Sequence, residues 1–115
     1  MTRYPLATGD AVHYAAPFGF TQVWMTPDWF LLHTPPLYLP DEESDHYIQH
    51  FVERIRQGLP LDPPWWSLDD HDGRHRATAA KIAGVTRLPV MVPEELIDWL
   101  LEWEFAEKSE LECTK

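Results

Sequence analysis

Between Asp69 and Val92 the chain passes through a charged loop, an alanine-rich stretch, a glycine and a proline-punctuated apolar run, an order that leaves little choice of local architecture. Ala77, Ala79, Ala80, Ile82 and Ala83 suit a short, closely packed helix. Gly84 supplies a left-handed stop, and Leu88-Pro89-Val90-Met91-Val92 has the continuous apolar character of a buried strand. The loop before the helix, Asp69-Asp70-His71-Asp72-Gly73-Arg74-His75-Arg76, concentrates charge and histidine. Backbone N–H groups in the first turn of a helix lack partners within it, the helix dipole is positive there, and arginines at the same point add cationic forks. The ligand such a corner suits is an oxyanion, so phosphate and nucleotide binding is the first functional expectation.

The run from Asp72 to Val92, with Gly73-Arg74-His75-Arg76, the alanine-rich helix and Leu88-Pro89-Val90, resembles the signature of the ParB/sulfiredoxin-like superfamily: a Gly-x-x-Arg phosphate loop, an Ala-rich helix and a Val-Pro-Val strand. Upstream, Thr26-Pro27-Asp28-Trp29-Phe30-Leu31, Pro35-Pro36-Leu37, Gln57-Gly58-Leu59-Pro60 and Pro63-Pro64 are similar in order to small ParB-like domains of phages and mobile elements, so the likeness covers residues 22 to 93. The resemblance implies a compact α/β (α+β) single domain with a small mixed sheet and three to four helices. It also implies that Gly73, Arg74, His75 and Arg76 hold the phosphates of CTP or ATP. Asp69 or Asp70 would then assist a nucleotide-borne magnesium. His71 or His75 would be the catalytic base toward a water or an acceptor hydroxyl, in hydrolysis or phosphoryl transfer.

Two departures from the family pattern matter. In sulfiredoxins the same turn carries a catalytic cysteine followed by His-Arg; here His75-Arg76 match that pair while Arg74 stands at the cysteine's position, which removes sulfiredoxin chemistry. Only Trp65-Trp66-Ser67-Leu68 separates Pro64 from Asp69, where family members carry a longer strand or hairpin, and this shortening implies a more open or an incomplete site.

Bland roles compete for the same residues. Asp72 can cap the helix while Asp69 and Asp70 complement its dipole, and Arg74 and Arg76 can form surface ion pairs with these aspartates. Thr78 is expected to bond its own backbone. A transition metal would need His71, His75 and a carboxylate, whereas nucleotide-bound magnesium needs only one or two carboxylates beside phosphate oxygens. His46 and His50 are four apart on a helix but lack a third ligand, so a solvated face is expected there. No zinc, flavin or haem is expected.

Charge sharpens the functional classes. The net charge of −10 repels nucleic acid at long range and disfavours direct DNA binding. Yet six of the nine Lys and Arg fall between residues 54 and 87 against four Asp, so the middle of the chain is locally basic. With 115 residues, 44% of them hydrophobic, the chain has material for one real core. The single cysteine, Cys113, excludes a disulfide scaffold and reads as a free surface thiol. The opening Met1-Thr2-Arg3-Tyr4-Pro5 has no apolar signal region and no segment reaches membrane-spanning length, which implies a cytoplasmic protein.

The remaining elements frame this centre. Residues 1–20 show no period and are left as an irregular arm; 21–108 form the domain and 109–115 a tail. Thr21–Met25 alternates as a strand, and Thr26-Pro27 then offers an N-cap with proline at the first helical position. From Ser44 or Asp45, Ile48, Phe51, Val52 and Ile55 mark a helix closed by Gly58. A last helix from Pro93-Glu94-Glu95 carries Leu96, Ile97, Leu100, Leu101 and Phe105 inward. Asp98, Trp99, Glu102 and Trp103 give that helix an acidic and aromatic surface, a candidate partner-binding face. The alternative function is therefore a non-catalytic acidic interaction protein that mimics nucleic-acid charge toward a nucleic-acid-handling partner.

Overall fold

A computed structural model describes residues 2–7, 19–34 and 41–107, the side chains of 41–44 excepted. The first strand, β1 (Phe20–Met25), runs directly into α1 (Pro27–Leu32). Thr26 caps α1 by accepting a bond from Trp29 N at 3.1 Å, and Thr34 Oγ1 closes its far end on Phe30 O at 2.9 Å. Next come α2 (Asp41–Gln57), the two-residue strands β2 (Trp65–Trp66) and β3 (His71–Asp72), α3 (Arg74–Ile82) and β4 (Leu88–Pro93). A 3₁₀ turn, Glu94–Leu96, leads into α4 (Ile97–Glu102).

The strands form one mixed sheet in the order β1-β4-β2-β3. β4 pairs antiparallel with β1 from Phe20↔Pro93 to Met25↔Leu88, and parallel with β2 at Trp65↔Met91. β2 and β3 close a minimal antiparallel hairpin, Trp65↔Asp72 and Trp66↔His71. This is a small α+β domain with a mixed sheet, the expected fold class. β4 is buried at every position but Met91, which explains its unbroken apolar sequence.

The alanines of α3 have a packing purpose. Ala77, Ala79 and Ala80 are fully buried, and their small side chains let α3 lie close against both α1 and α2. Val52 and Ile55 of α2, Phe30 of α1, Leu100 of α4 and Val23, Met25, Leu88, Val90 and Val92 of the sheet complete the core. A Lys81–Asp28 ion pair at 2.6 Å links α3 to α1 on the surface.

Three helices end by the same device. Beyond α2, Gly58 N bonds Ile55 O and Leu59 N bonds Arg54 O; beyond α3, Gly84 N bonds Lys81 O and Val85 N bonds Ala80 O; beyond α4, Glu104 N bonds Leu101 O and Phe105 N bonds Leu100 O. Each pairing needs a residue in the left-handed region, and φ is +71° at Gly58, +88° at Gly84 and +59° at Glu104. The last helix is therefore shorter than its sequence implies: Pro93 ends β4 instead of starting the helix, and Phe105 lies beyond the helix end.

Both ends of the described chain are tied to the body. Leu6 bridges Leu61, Tyr4 is buried and its hydroxyl donates to Asp62 O at 2.6 Å, so residues 2–7, which have no regular element beyond that bridge, pack against the loop after α2. Residues 8–18 and the tail 109–115 with Cys113 lie outside the described residues. Trp24 and Glu107 exchange both backbone bonds at 2.7 Å, which extends the outer edge of β1, and Arg87 pairs with Glu107 at 2.9 Å. Among the described residues no helix is long and apolar enough to cross a membrane.

Candidate functional site

The site begins where β3 turns into α3. Gly73 is the N-cap of α3 at φ 101° and ψ 19°, and no side chain caps the helix there. A side chain at Gly73 is excluded twice over: the backbone is left-handed, and a Cβ would lie 2.6 Å from Pro64 Cβ and 2.8 Å from Pro64 Cα. Pro64 is fully buried, and its carbonyl accepts from Met91 N at 2.9 Å, so the loop leading into β2 cannot retreat. The tight packing of Gly73 on Pro64 thus fixes the start of α3 against the sheet.

Beside this turn opens a cleft of about 790 Å³. One wall is α2, through Tyr47, His50, Phe51 and Arg54; the others are Pro60, Leu61 and Asp62 after α2, His71 and Asp72 of β3, and Gly73, Arg74, His75 and Arg76 opening α3. Three arginines and three histidines meet two aspartates in this lining. The cleft is cationic although the chain as a whole is acidic.

Each arginine is held in a different way. Arg76 is nearly buried, donates to Asp62 O at 2.9 Å and pairs with Asp72 at 3.2 Å. Asp72 is thereby an ion-pair partner one turn back and not the helix cap, a role taken by Gly73. Arg54 donates to Pro60 O at 2.7 Å. Arg74 turns toward α1: its Nη1 reaches Leu31 O at 2.8 Å, Thr34 O at 2.9 Å and Thr34 Oγ1 at 2.7 Å. A guanidinium at the carbonyl end of a helix is well matched to the dipole. Arg74 consequently braces α1 against α3, with only Nη2 and Nε left to meet a ligand.

His75 sits beside the Tyr47 ring, the centroids 5.6 Å apart at 42°. Its pKa is lowered from the ordinary histidine value, first by burial and then by repulsion from the Arg74 guanidinium. At neutral pH the imidazole is therefore uncharged and able to accept a proton.

The structure brings Gly73, Arg74, His75, Arg76 and His71 to one cleft. It does not bring Asp69 and Asp70 there. These two lie in the β2–β3 turn, where Asp70 Oδ1 accepts from His71 N at 2.8 Å and Ser67 Oγ bonds both Asp70 N and Asp70 O at 3.1 Å. The carboxylates that line the cleft are Asp62 and Asp72. His71 belongs to β3 and His75 to α3, so the two do not share one helix face. Asp98, Trp99, Glu102 and Trp103 sit on or at the end of α4, apart from the cleft lining. Among the described residues no three His, Cys, Asp or Glu side chains are grouped as a metal site.

Sequence reasoning missed the α2 wall. Tyr47, His50 and Arg54 recur at three- and four-residue spacing, one helical stripe beside the partly buried Ile48 and Phe51 and the buried Val52 and Ile55. His50 was visible only as half of a pair with His46, which is exposed and does not line the cleft. Comparison of the chain with protein-family profiles, curated proteins and solved structures gives no match, so the functional reading rests on the chemistry of this cleft.

Proposed function

We propose that the chain is a cytoplasmic ParB-like nucleotide-binding domain whose cleft holds the phosphates of CTP or ATP at Gly73-Arg74-His75-Arg76. One observation carries the reading: in a chain of net charge −10, Arg54, Arg74 and Arg76 converge with His50, His71 and His75 on a single cleft beside a helix start that no side chain caps. Evenly scattered surface charge would not collect in this way. Guanidinium groups bind phosphate oxygens through charge-assisted, geometrically matched bonds, and the first-turn amides of α3 favour the same anion. Tyr47 and Phe51 give the cleft an aromatic flank on which a planar base can rest.

The cleft also has the groups that hydrolysis or phosphoryl transfer requires. Neutral His75 takes the proton of an attacking water or hydroxyl, and Arg54 and Arg76 offset charge on the phosphoryl oxygens. A magnesium carried on the triphosphate would find its protein ligand in Asp72 and would keep most of its shell as water and phosphate oxygen.

Calorimetric titration with CTP and ATP, with and without magnesium, tests the proposal. Saturable binding is expected, weakened roughly tenfold or more in Arg54→Gln through loss of a charge-assisted bond. Arg54 suits the test better than Arg74, whose loss would also loosen α1. Absence of binding to either nucleotide, or binding that Arg54→Gln leaves unchanged, would overturn it.

A further inference from the structure

The outer surface of α4 is a second region whose chemistry is unbalanced. Leu100 anchors the helix and is fully buried, while Trp99 is 41% and Trp103 61% exposed. Trp99 is not loose: its ring meets Phe105 edge-on at 5.4 Å, and Phe105 lies 5.5 Å from Trp29, whose ring packs on Trp66 at 5.1 Å. One side of the indole is thus backed by an aromatic stack reaching the core, and the rest of it meets solvent.

Around these rings the charge has one sign. Glu94, Glu95, Asp98, Glu102 and Glu104 are all exposed, and no Lys or Arg occurs from Leu88 to Glu107. The cations that flank this run in sequence are Arg87, which is engaged with Glu107, and Lys108, which lies outside the described residues.

We infer that this face docks a segment of a partner protein in which arginines are interspersed with apolar side chains. Each alternative fails on a stated cost. A purely apolar segment would desolvate carboxylates without pairing them. Nucleic acid would be repelled. A second copy of this chain would bring two sets of five carboxylates together. An arginine satisfies both components of the surface, because its weakly hydrated planar guanidinium stacks on an indole face while its N–H fork engages a carboxylate. Lysine, a compact and strongly hydrated charge without a planar face, would engage the carboxylates but gain less from the indoles.

The test is fluorescence anisotropy with a labelled peptide of alternating arginine and leucine, its lysine-for-arginine counterpart, and chains carrying either Trp99→Ala/Trp103→Ala or Asp98→Asn/Glu102→Gln. The tryptophan variant keeps every charge and should bind the arginine peptide roughly 5- to 30-fold more weakly, the effect of losing two cation–π contacts. The neutralised variant should weaken it as well, and the lysine peptide should bind less tightly than the arginine one. Trp103→Ala alone, at the more exposed ring, keeps the test valid if the double variant unfolds. Binding that ignores the tryptophans would reduce the attraction to bulk charge and overturn the inference. So would equal affinity for the two peptides, or sedimentation showing that the intact chain pairs with itself through these rings.

Discussion

Replacing Gly73 with alanine adds one methyl group at the most constrained point of the fold. The backbone there has φ +101°, where an L-residue costs about 1–2 kcal/mol relative to its ordinary conformations. The new Cβ would also stand 2.6 Å from Pro64 Cβ and 2.8 Å from its Cα, a contact with backbone that no rotamer change relieves. Overpacking of this kind costs about 1–3 kcal/mol, so Gly73→Ala should destabilise the fold by about 2–5 kcal/mol in all. Gly58→Ala and Gly84→Ala are the internal controls: φ is +71° and +88°, and nothing lies within 4 Å of either added Cβ, so each should lose only about 1–2 kcal/mol. Urea denaturation of the three variants gives the comparison, with the slope unchanged if only stability moves. If Gly73→Ala unfolds at the same urea concentration as the two controls, the packing of Gly73 on Pro64 is not what holds α3 in place.

Other expectations follow from the same contacts. Arg74→Gln should destabilise the chain by about 2–3 kcal/mol and Thr34→Val by about 1 kcal/mol, measured by the same denaturation, because both remove bonds closing the end of α1. Glu104→Gly should stabilise by about 0.5–1 kcal/mol, since glycine occupies the left-handed end of α4 without strain. The folded-state pKa of His75 lies below its unfolded value of 6.5, so the unfolded chain binds the proton more readily. The contribution of His75 is complete above pH 6.5 and is lost as pH falls from there through the folded pKa, and His75→Gln should flatten that part of a stability-against-pH curve. Asp72→Asn removes the ion-pair partner of Arg76 and a negative charge from the cleft, so phosphate binding without magnesium should tighten roughly two- to fivefold in a calorimetric titration. The same variant should lose part of any enhancement that magnesium provides.

Local chemistry made much of this fold legible. The Thr26-Pro27 cap, the left-handed stops at Gly58 and Gly84, the stripe of α2 and the buried run of β4 all depend on residues within a few positions of one another. What escaped depends on distance or on exceptions. Glu104 ends α4 in a conformation that glycine normally signals, so nothing in the amino acids announces the stop. β2 and β3 have two residues each, too few for an alternation to register.

At the site the difference is of the same kind. Gly73 to Arg76 stood out because a charged turn before a helix is a local pattern. The inward turn of Arg74 depends on carbonyls 40 and 43 residues away in sequence, and Asp62 reaches the cleft because Tyr4 and Arg76 hold its carbonyl. Along the chain Asp69 and Asp70 stood beside the turn as metal candidates and Asp72 as the helix cap. The β2–β3 turn directs the first two elsewhere, with Asp70 satisfying the turn itself.

The central claim is that the start of α3 receives a phosphate. Amide chemical shifts of the 15N-labelled chain, followed while CTP or ATP is added, test it residue by residue. Arg74, His75 and Arg76 should move most, with smaller changes in Tyr47, His50 and Arg54 across the cleft. Shifts confined to α4, or no shifts at millimolar nucleotide with or without magnesium, would contradict it.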